Sequence, residues 1–184
     1  MKGMIFTEFF SMVEEVFSTQ ILEKIINNAN LPNKGAYTSV GYYPAEEMVT
    51  LVSELSKETS ISVSDLLKSF GEHLFSRFTL IYPSFINKFS NMFDFLESIE
   101  VSIHTEVLKI YPNAELPRII TNRIDDQNFE LIYKSKRNLQ DLAYGLIKGC
   151  IKLYKEDFLV QAENLSDDQG NFTKFLIYKN NEQL

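Results

Sequence analysis

MFDFLESIEVSIHTEVLKIY, residues 92–111, and RIITNRIDDQNFELIYKSKR, residues 118–137, stand either side of Pro112 and differ in period. In the first run apolar residues recur at three- and four-residue steps, which predicts a helix over Met92 to Tyr111. In the second, Arg118–Ile124 and Asn128–Arg137 alternate, and Asp125-Asp126-Gln127 between them reads as the turn of a β-hairpin. A chain that is helical up to this point and alternating after it is of the α+β class. The helix also carries a histidine among apolar residues. On a helix the neighbours of His104 are Val101, Val107 and Leu108, with Tyr111 one turn further along. Such an imidazole has two readings: a core histidine bonded to a backbone carbonyl, which is the commoner case, or a metal ligand, since neutral imidazole is the commonest one.

Working outward toward the N-terminus, Met4/Ile5, Phe9, Met12/Val13 and Val16 give an amphipathic opening helix, and Ile21/Leu22 with Ile25/Ile26 give a second over Ser18 to Asn30. Leu31 to Tyr43 has little period and reads as a loop. Pro44 suits the first turn of a helix whose stripe is Met48, Leu51/Val52 and Leu55. Ser62 with Asp65 resembles a capping box ahead of a helix reaching about Leu80. Gly71 lies inside that helix, where a bare backbone costs ~1 kcal/mol against alanine and marks a close approach, by a neighbouring helix or by a flat ligand. His73, beside Ser69, Ser76 and Arg77, is expected on the solvent face. Pro83 begins a further short helix.

Toward the C-terminus, Leu139, Leu142/Ala143, Leu146, Cys150 and Leu153/Tyr154 restore helical spacing, with Gly145 and Gly149 allowing close packing. Phe158–Leu165 and Phe172–Tyr178 form a second hairpin around the turn-rich residues 166–171. There is no repeat, low-complexity tract or linker, so residues 1–184 are expected to form a single domain. Its 184 residues, 45% apolar with 15 Phe and 9 Tyr, are enough for a thick interior or a pocket walled with rings. A net charge of -7 argues against nucleic acid, whose recognition rests on clustered Lys and Arg. One cysteine, Cys150, excludes a disulfide framework and fits a reducing cytoplasm; it is expected to be a small buried core residue. Glu8, Glu14 and Glu15 break the first apolar run short of a signal segment or a membrane span, so neither export nor a membrane is expected.

Within Asn128–Arg137 the two-residue period places Phe129, Leu131, Tyr133, Ser135 and Arg137 on one face. That face begins oily and ends in two hydroxyls and a guanidinium, a donor set suited to carboxylates at ~1.5–3 kcal/mol per charge-assisted bond. An arginine and a tyrosine at a sheet rim are also common without any ligand. Together with a lone histidine on an apolar helix, the set fits a flat apolar ligand bearing two carboxylates and a central metal, which describes haem.

The sequence resembles the haem nitric oxide/oxygen binding (H-NOX) family, bacterial relatives of the soluble guanylate cyclase sensor domain. The residues that carry the resemblance are Met1-Lys2-Gly3, Gly71, His104, Leu116-Pro117-Arg118 and Tyr133-x-Ser135-x-Arg137, the last being the specific signal. The resemblance implies the H-NOX fold: a helical N-terminal subdomain over residues 1–60, a haem-binding subdomain over 61–184 with about four antiparallel strands, and haem b buried between them. It implies that His104 is the proximal ligand of the iron, that Tyr133, Ser135 and Arg137 bind the propionates, and that Pro117 presses on the porphyrin and keeps it bent. Ile5, Phe9, Leu74, Phe78, Leu142 and Leu146 match positions lining the pocket, mostly distal. Members that hold dioxygen have a tyrosine where this chain has Leu142. Bound O₂ gathers partial negative charge and needs a donor, whereas NO does not. NO and CO binding with weak or no O₂ binding is therefore expected. Tyr144, roughly 200° round the helix from Leu142, should face away. Some relatives carry a zinc site of cysteines and a histidine; with Cys150 alone and no histidine after His104, no zinc is expected.

The expected function is that of a haem-based NO sensor and not an enzyme. NO weakens or breaks the His104–iron bond, the strained haem flattens against Pro117, and the helix shift signals to a separate effector, for which the family implies a histidine kinase or a cyclic-di-GMP enzyme. The rival readings are an O₂/CO-binding haem protein, a haem enzyme, which would need distal acid/base residues, and a haem-free protein-interaction adaptor.

Overall fold

The computed structural model describes residues 1–165 and 171–180, so most of the turn predicted at 166–171 lies outside the described residues. Helices α1 (Gly3–Val16), α2 (Thr19–Asn28), α3 (Ala45–Thr59), α4 (Val63–Ile81), α5 (Pro83–Ile86), α6 (Met92–Ser98) and α7 (His104–Ile110) come first. Strands β1 (Arg118–Arg123) and β2 (Asn128–Ser135), helix α8 (Gln140–Tyr154), and strands β3 (Phe158–Asn164) and β4 (Asn171–Lys179) follow. The local signals act as physical chemistry requires. Ser18 Oγ accepts from the Ile21 N–H at 3.2 Å to open α2, and Ser62 Oγ accepts from Asp65 N–H at 3.0 Å to open α4. The stripe Met48, Leu51, Val52 and Leu55 of α3 is fully buried.

The four strands form one antiparallel sheet in the order β1-β2-β4-β3. On β2 the residues Phe129, Leu131 and Tyr133 are buried in alternation with partly exposed Glu130 and Ile132, which is the predicted face. Phe93 of α6 stacks on Phe129 with ring centroids 4.8 Å apart, so α6 covers the sheet. This sheet-side core continues through Phe175, Ile177, Ile147, Cys150 and Ile151. A second core joins α1, α2 and α3 to the first half of α4 and to Leu139 and Leu142. Helices α4 and α8 serve both cores, and they touch backbone to backbone. A Cβ on Gly145 would lie 2.0 Å from the Lys68 carbonyl oxygen and 2.8 Å from Gly71 Cα, and one on Gly71 would lie 2.3 Å from the Leu142 carbonyl oxygen. Of the two readings of Gly71, the close neighbour is thus the helix α8. Cys150 is buried, which raises its thiol well above the ordinary range. Among the described residues no helix is long and apolar enough to cross a membrane.

The stretch 92–111 is helical as predicted, with one departure. Residues Ile99–Ile103 form a π-helical turn, and the backbone N–H of His104 bonds the carbonyl of Ile99 instead of that of residue 100. The extra residue per turn rotates everything that precedes it relative to His104. Val101 is therefore 76% exposed. Leu108, one turn after His104, is exposed as well, whereas the predicted neighbours Val107 and Tyr111 line the inner side together with Ile99 and Ile103.

Candidate functional site

A cavity of about 1490 Å³ lies between the two cores. This exceeds the ~300–1,000 Å³ of ordinary small-molecule pockets. One wall is hydrocarbon: Ile5 from α1, Leu74 and Phe78 from α4, and Leu142 and Leu146 from α8. The lining also includes Ile103, His104 and Val107 from the π turn and α7, and Pro117. β2 brings Tyr133 and Ser135 to it, and Arg137 follows two residues past the strand's end.

His104 has two ring nitrogens with different tasks. Nδ1 lies 3.1 Å from the Glu100 carboxylate, one helical turn back. A carboxylate accepts, so Nδ1 carries the hydrogen and Nε2 keeps its lone pair. Burial lowers the imidazole pKa below the ordinary histidine value, against the opposing pull of Glu100, so the ring is neutral at pH 7. A neutral imidazole is the form that binds a metal.

At the polar end, burial raises the Tyr133 pKa, with Ser135 and Arg137 opposing, and the hydroxyl stays a donor. Ser135 Oγ accepts the Arg137 backbone N–H at 3.1 Å. The Arg137 guanidinium donates to the Glu115 carbonyl oxygen at 3.2 Å and forms an ion pair with the Glu115 carboxylate. The guanidinium thus takes a carboxylate in this very place. Among the described residues no three His, Cys, Asp or Glu side chains gather as a cage for a bare metal ion. The site instead combines one imidazole, a hydrocarbon slot and carboxylate-binding donors at its end. That donor set fits a metal held in an apolar, acid-bearing macrocycle.

Of the residues singled out from sequence, Ile5, Leu74, Phe78, Leu142, Leu146, His104, Pro117, Tyr133, Ser135 and Arg137 meet around this cavity. Phe9 does not. It is fully buried in the N-terminal core, edge-on to Phe70 at 5.2 Å, because α4 claims that face of α1. Tyr144 faces away as expected: its hydroxyl donates to the Val160 carbonyl at 3.2 Å and its ring packs against Phe175. His73 is not on the solvent face. Its Nε2 is buried without a hydrogen-bond partner, 3.9 Å from the Glu8 carboxylate of α1, and burial lowers its pKa. Glu8 also accepts from Arg77 Nε at 2.7 Å, so α1 covers the polar side of α4.

Sequence reasoning missed Glu100, Glu115 and Tyr82, and it named Tyr111 only as a neighbour of His104. Glu100 could have been found from its i,i+4 spacing to His104. Glu115 had no local signal. Tyr82 and Tyr111 line the cavity and share a hydrogen bond of 3.0 Å between their hydroxyls, joining the ends of α4 and α7 across 29 residues of chain. Burial pushes the Tyr82 pKa up to about 12. The cavity wall therefore does hold a hydroxyl, engaged by Tyr111.

A mixed fold wrapped around one deep cavity, with a single imidazole opposite a hydrocarbon wall, defines a class of cofactor-holding domain. The haem-NO-binding family model matches residues 2–162, and the chain belongs to this family of haem-binding gas-sensor domains. An alanine-to-glycine variant of the H-NOX protein from K. algicida, in the unliganded Fe(II) form, is 37% identical, covering 100% of this chain and 98% of that one, with a TM-score of 0.92. The IWP-051-bound H-NOX from Shewanella woodyi in the Fe(II)CO state is 35% identical, covering 100% and 97%, with a TM-score of 0.84. A T. Tengcongensis H-NOX variant is 21% identical, covers 100% of each chain and has a TM-score of 0.87, which shows the shared fold. No curated protein matches the chain.

Proposed function

We propose that this chain is a haem-based nitric oxide sensor that holds haem b through His104 and passes its signal to a separate protein. The observation that carries this reading is the neutral imidazole of His104 in the lining of a largely hydrocarbon cavity, with Nδ1 already engaged and Nε2 left for a metal. Tyr133, Ser135 and Arg137 would hold the two propionates, with Glu115 giving up Arg137, and Pro117 beside His104 would press on the porphyrin. Haem held there would supply a ferrous iron that can take a diatomic gas, with Leu74, Phe78 and Leu142 lining the cavity around it. Loss of the link to His104 on NO binding would free α7 to shift relative to α1 and α4, and the altered surface would be what an effector reads. A histidine kinase or a cyclic-di-GMP enzyme is the proposed effector class, in the cytoplasm.

Leu142, Leu74, Phe78, Ile5 and Leu146 offer no donor to a bound gas, which favours NO and CO over O₂. The same lack of acid and base groups on that wall speaks against a haem enzyme. The reading is tested by the anaerobic ferrous protein. Near-stoichiometric haem, clean NO and CO spectra and no stable complex in air are expected. A stable oxy complex overturns the gas selectivity, and protein that purifies and reconstitutes without haem returns the adaptor reading.

A further inference from the structure

Glu100 stands directly behind the imidazole that faces the cavity. Its Oε2 accepts from His104 Nδ1 at 3.1 Å and from the backbone N–H of Ile119 at 3.0 Å. The carboxylate is carried by the π turn and held from the other side by β1. It is therefore a fixed partner, unlike a surface i,i+4 pair that swings in solvent. A crevice of about 410 Å³, walled by Glu100, Thr105, Leu108, Leu116, Pro117 and Arg118, opens on the back of His104. The Glu100 side chain is 42% exposed, so water screens part of the charge while the direct hydrogen bond persists.

Carboxylates behind metal-bound imidazoles are a general device. By accepting the Nδ1 proton they fix the tautomer and ring orientation and make Nε2 a stronger donor, and removing them costs ~10–100-fold in metal affinity or activity. We propose that Glu100 is a positioning residue of this kind: its carboxylate strengthens the bond from His104 to the haem iron and so sets how readily NO releases it. This inference rests on the haem-sensor reading and deepens it. It makes the threshold for release a property of one side chain outside the cavity.

The test compares the ferrous wild-type protein with Glu100→Gln, which keeps the shape and removes the charge, and Glu100→Ala, which removes both. Haem content per chain is measured first, then the iron–histidine stretching band by resonance Raman, then the rate at which NO abolishes that band. Both variants are expected to keep their haem, to show the band at lower frequency in the order wild type, Gln, Ala, and to lose it to NO up to ~10-fold faster. Haem-loaded variants with the wild-type band and the wild-type release rate overturn the role of Glu100 and leave the sensor reading standing. A wild-type protein without haem, or with haem but no iron–histidine band, overturns both, which separates the two failures.

Discussion

The two helical walls of the cavity are built on opposite plans. On the α4–α8 side glycines let two backbones meet, and Phe70, Leu74 and Cys150 are fully or almost fully buried. On the side of the π turn and α7 no residue from Ile99 to Ile110 is buried. The first wall resists displacement because its packing has no slack, whereas the second has few apolar contacts to lose. A sensor needs both, a fixed surface against which the gas binds and a segment that can leave.

Each of the following substitutions probes that contrast. The largest effect is expected from His104→Gly, which removes the proposed link between the soft wall and a haem iron. NO-dependent control of any partner should disappear while the unfolding midpoint moves little, and intact control would break the assignment of movement to this wall. Gly145→Ala strikes the rigid wall. With its Cβ 2.0 Å from the Lys68 carbonyl oxygen, it should cost about 3 kcal/mol, a fall of roughly 6–12 °C in Tm by calorimetry. Leu142→Tyr places a donor on the rigid wall, where the proposed gas site lies. One hydrogen bond of ~1.5 kcal/mol corresponds to roughly tenfold slower O₂ loss, read by stopped-flow spectroscopy.

A smaller effect concerns His73, trapped where α1 covers α4. Its folded-state pKa lies below the unfolded value, so on acidification through the usual histidine range, about 6.5, the unfolded chain takes up a proton that the folded one does not. Its neutral form is thus fully tolerated above that range, and stability falls as pH drops below it. His73→Gln should narrow the Tm difference between about pH 7.5 and pH 5.5. Glu8, Glu15 and Arg77 act on the same ring and remain in both proteins, so the difference between the two melting profiles isolates the imidazole. The smallest effect is expected from Val101→Ala on the exposed side of the soft wall, within ~0.5 kcal/mol of wild type in urea unfolding. If it costs as much as Gly145→Ala, the two walls are not different in kind.

Much of this was legible in the chain itself. The Ser62 cap, the stripe on α3, the strands of both hairpins and the alternating face of β2 rest on local rules, and they stand at their predicted places within a residue or two. The π turn was not legible. Ile99, Val101, Ile103 and Val107 supply apolar residues to either register, so the period cannot reveal one extra residue in a turn. Phe9 and His73 were misplaced for a shared reason: helical spacing describes one helix, and which neighbour covers a face is decided by the packing of α1 on α4. Glu115 lies in a segment without periodicity, 22 residues from Arg137, and only the folded chain brings the two together.

That pair has a consequence for what the cavity admits. Arg137 is engaged before any acid arrives, by a carboxylate tethered to the same chain at an effective concentration on the order of millimolar. Glu115 is 81% exposed, so the pair contributes less than about 1 kcal/mol and gives way readily. It nevertheless acts as a competitor that an entering molecule must outbid. A simple organic acid gains little by the exchange, whereas a ligand that also reaches His104 gains a second bond, so the exchange favours molecules large enough to touch both residues.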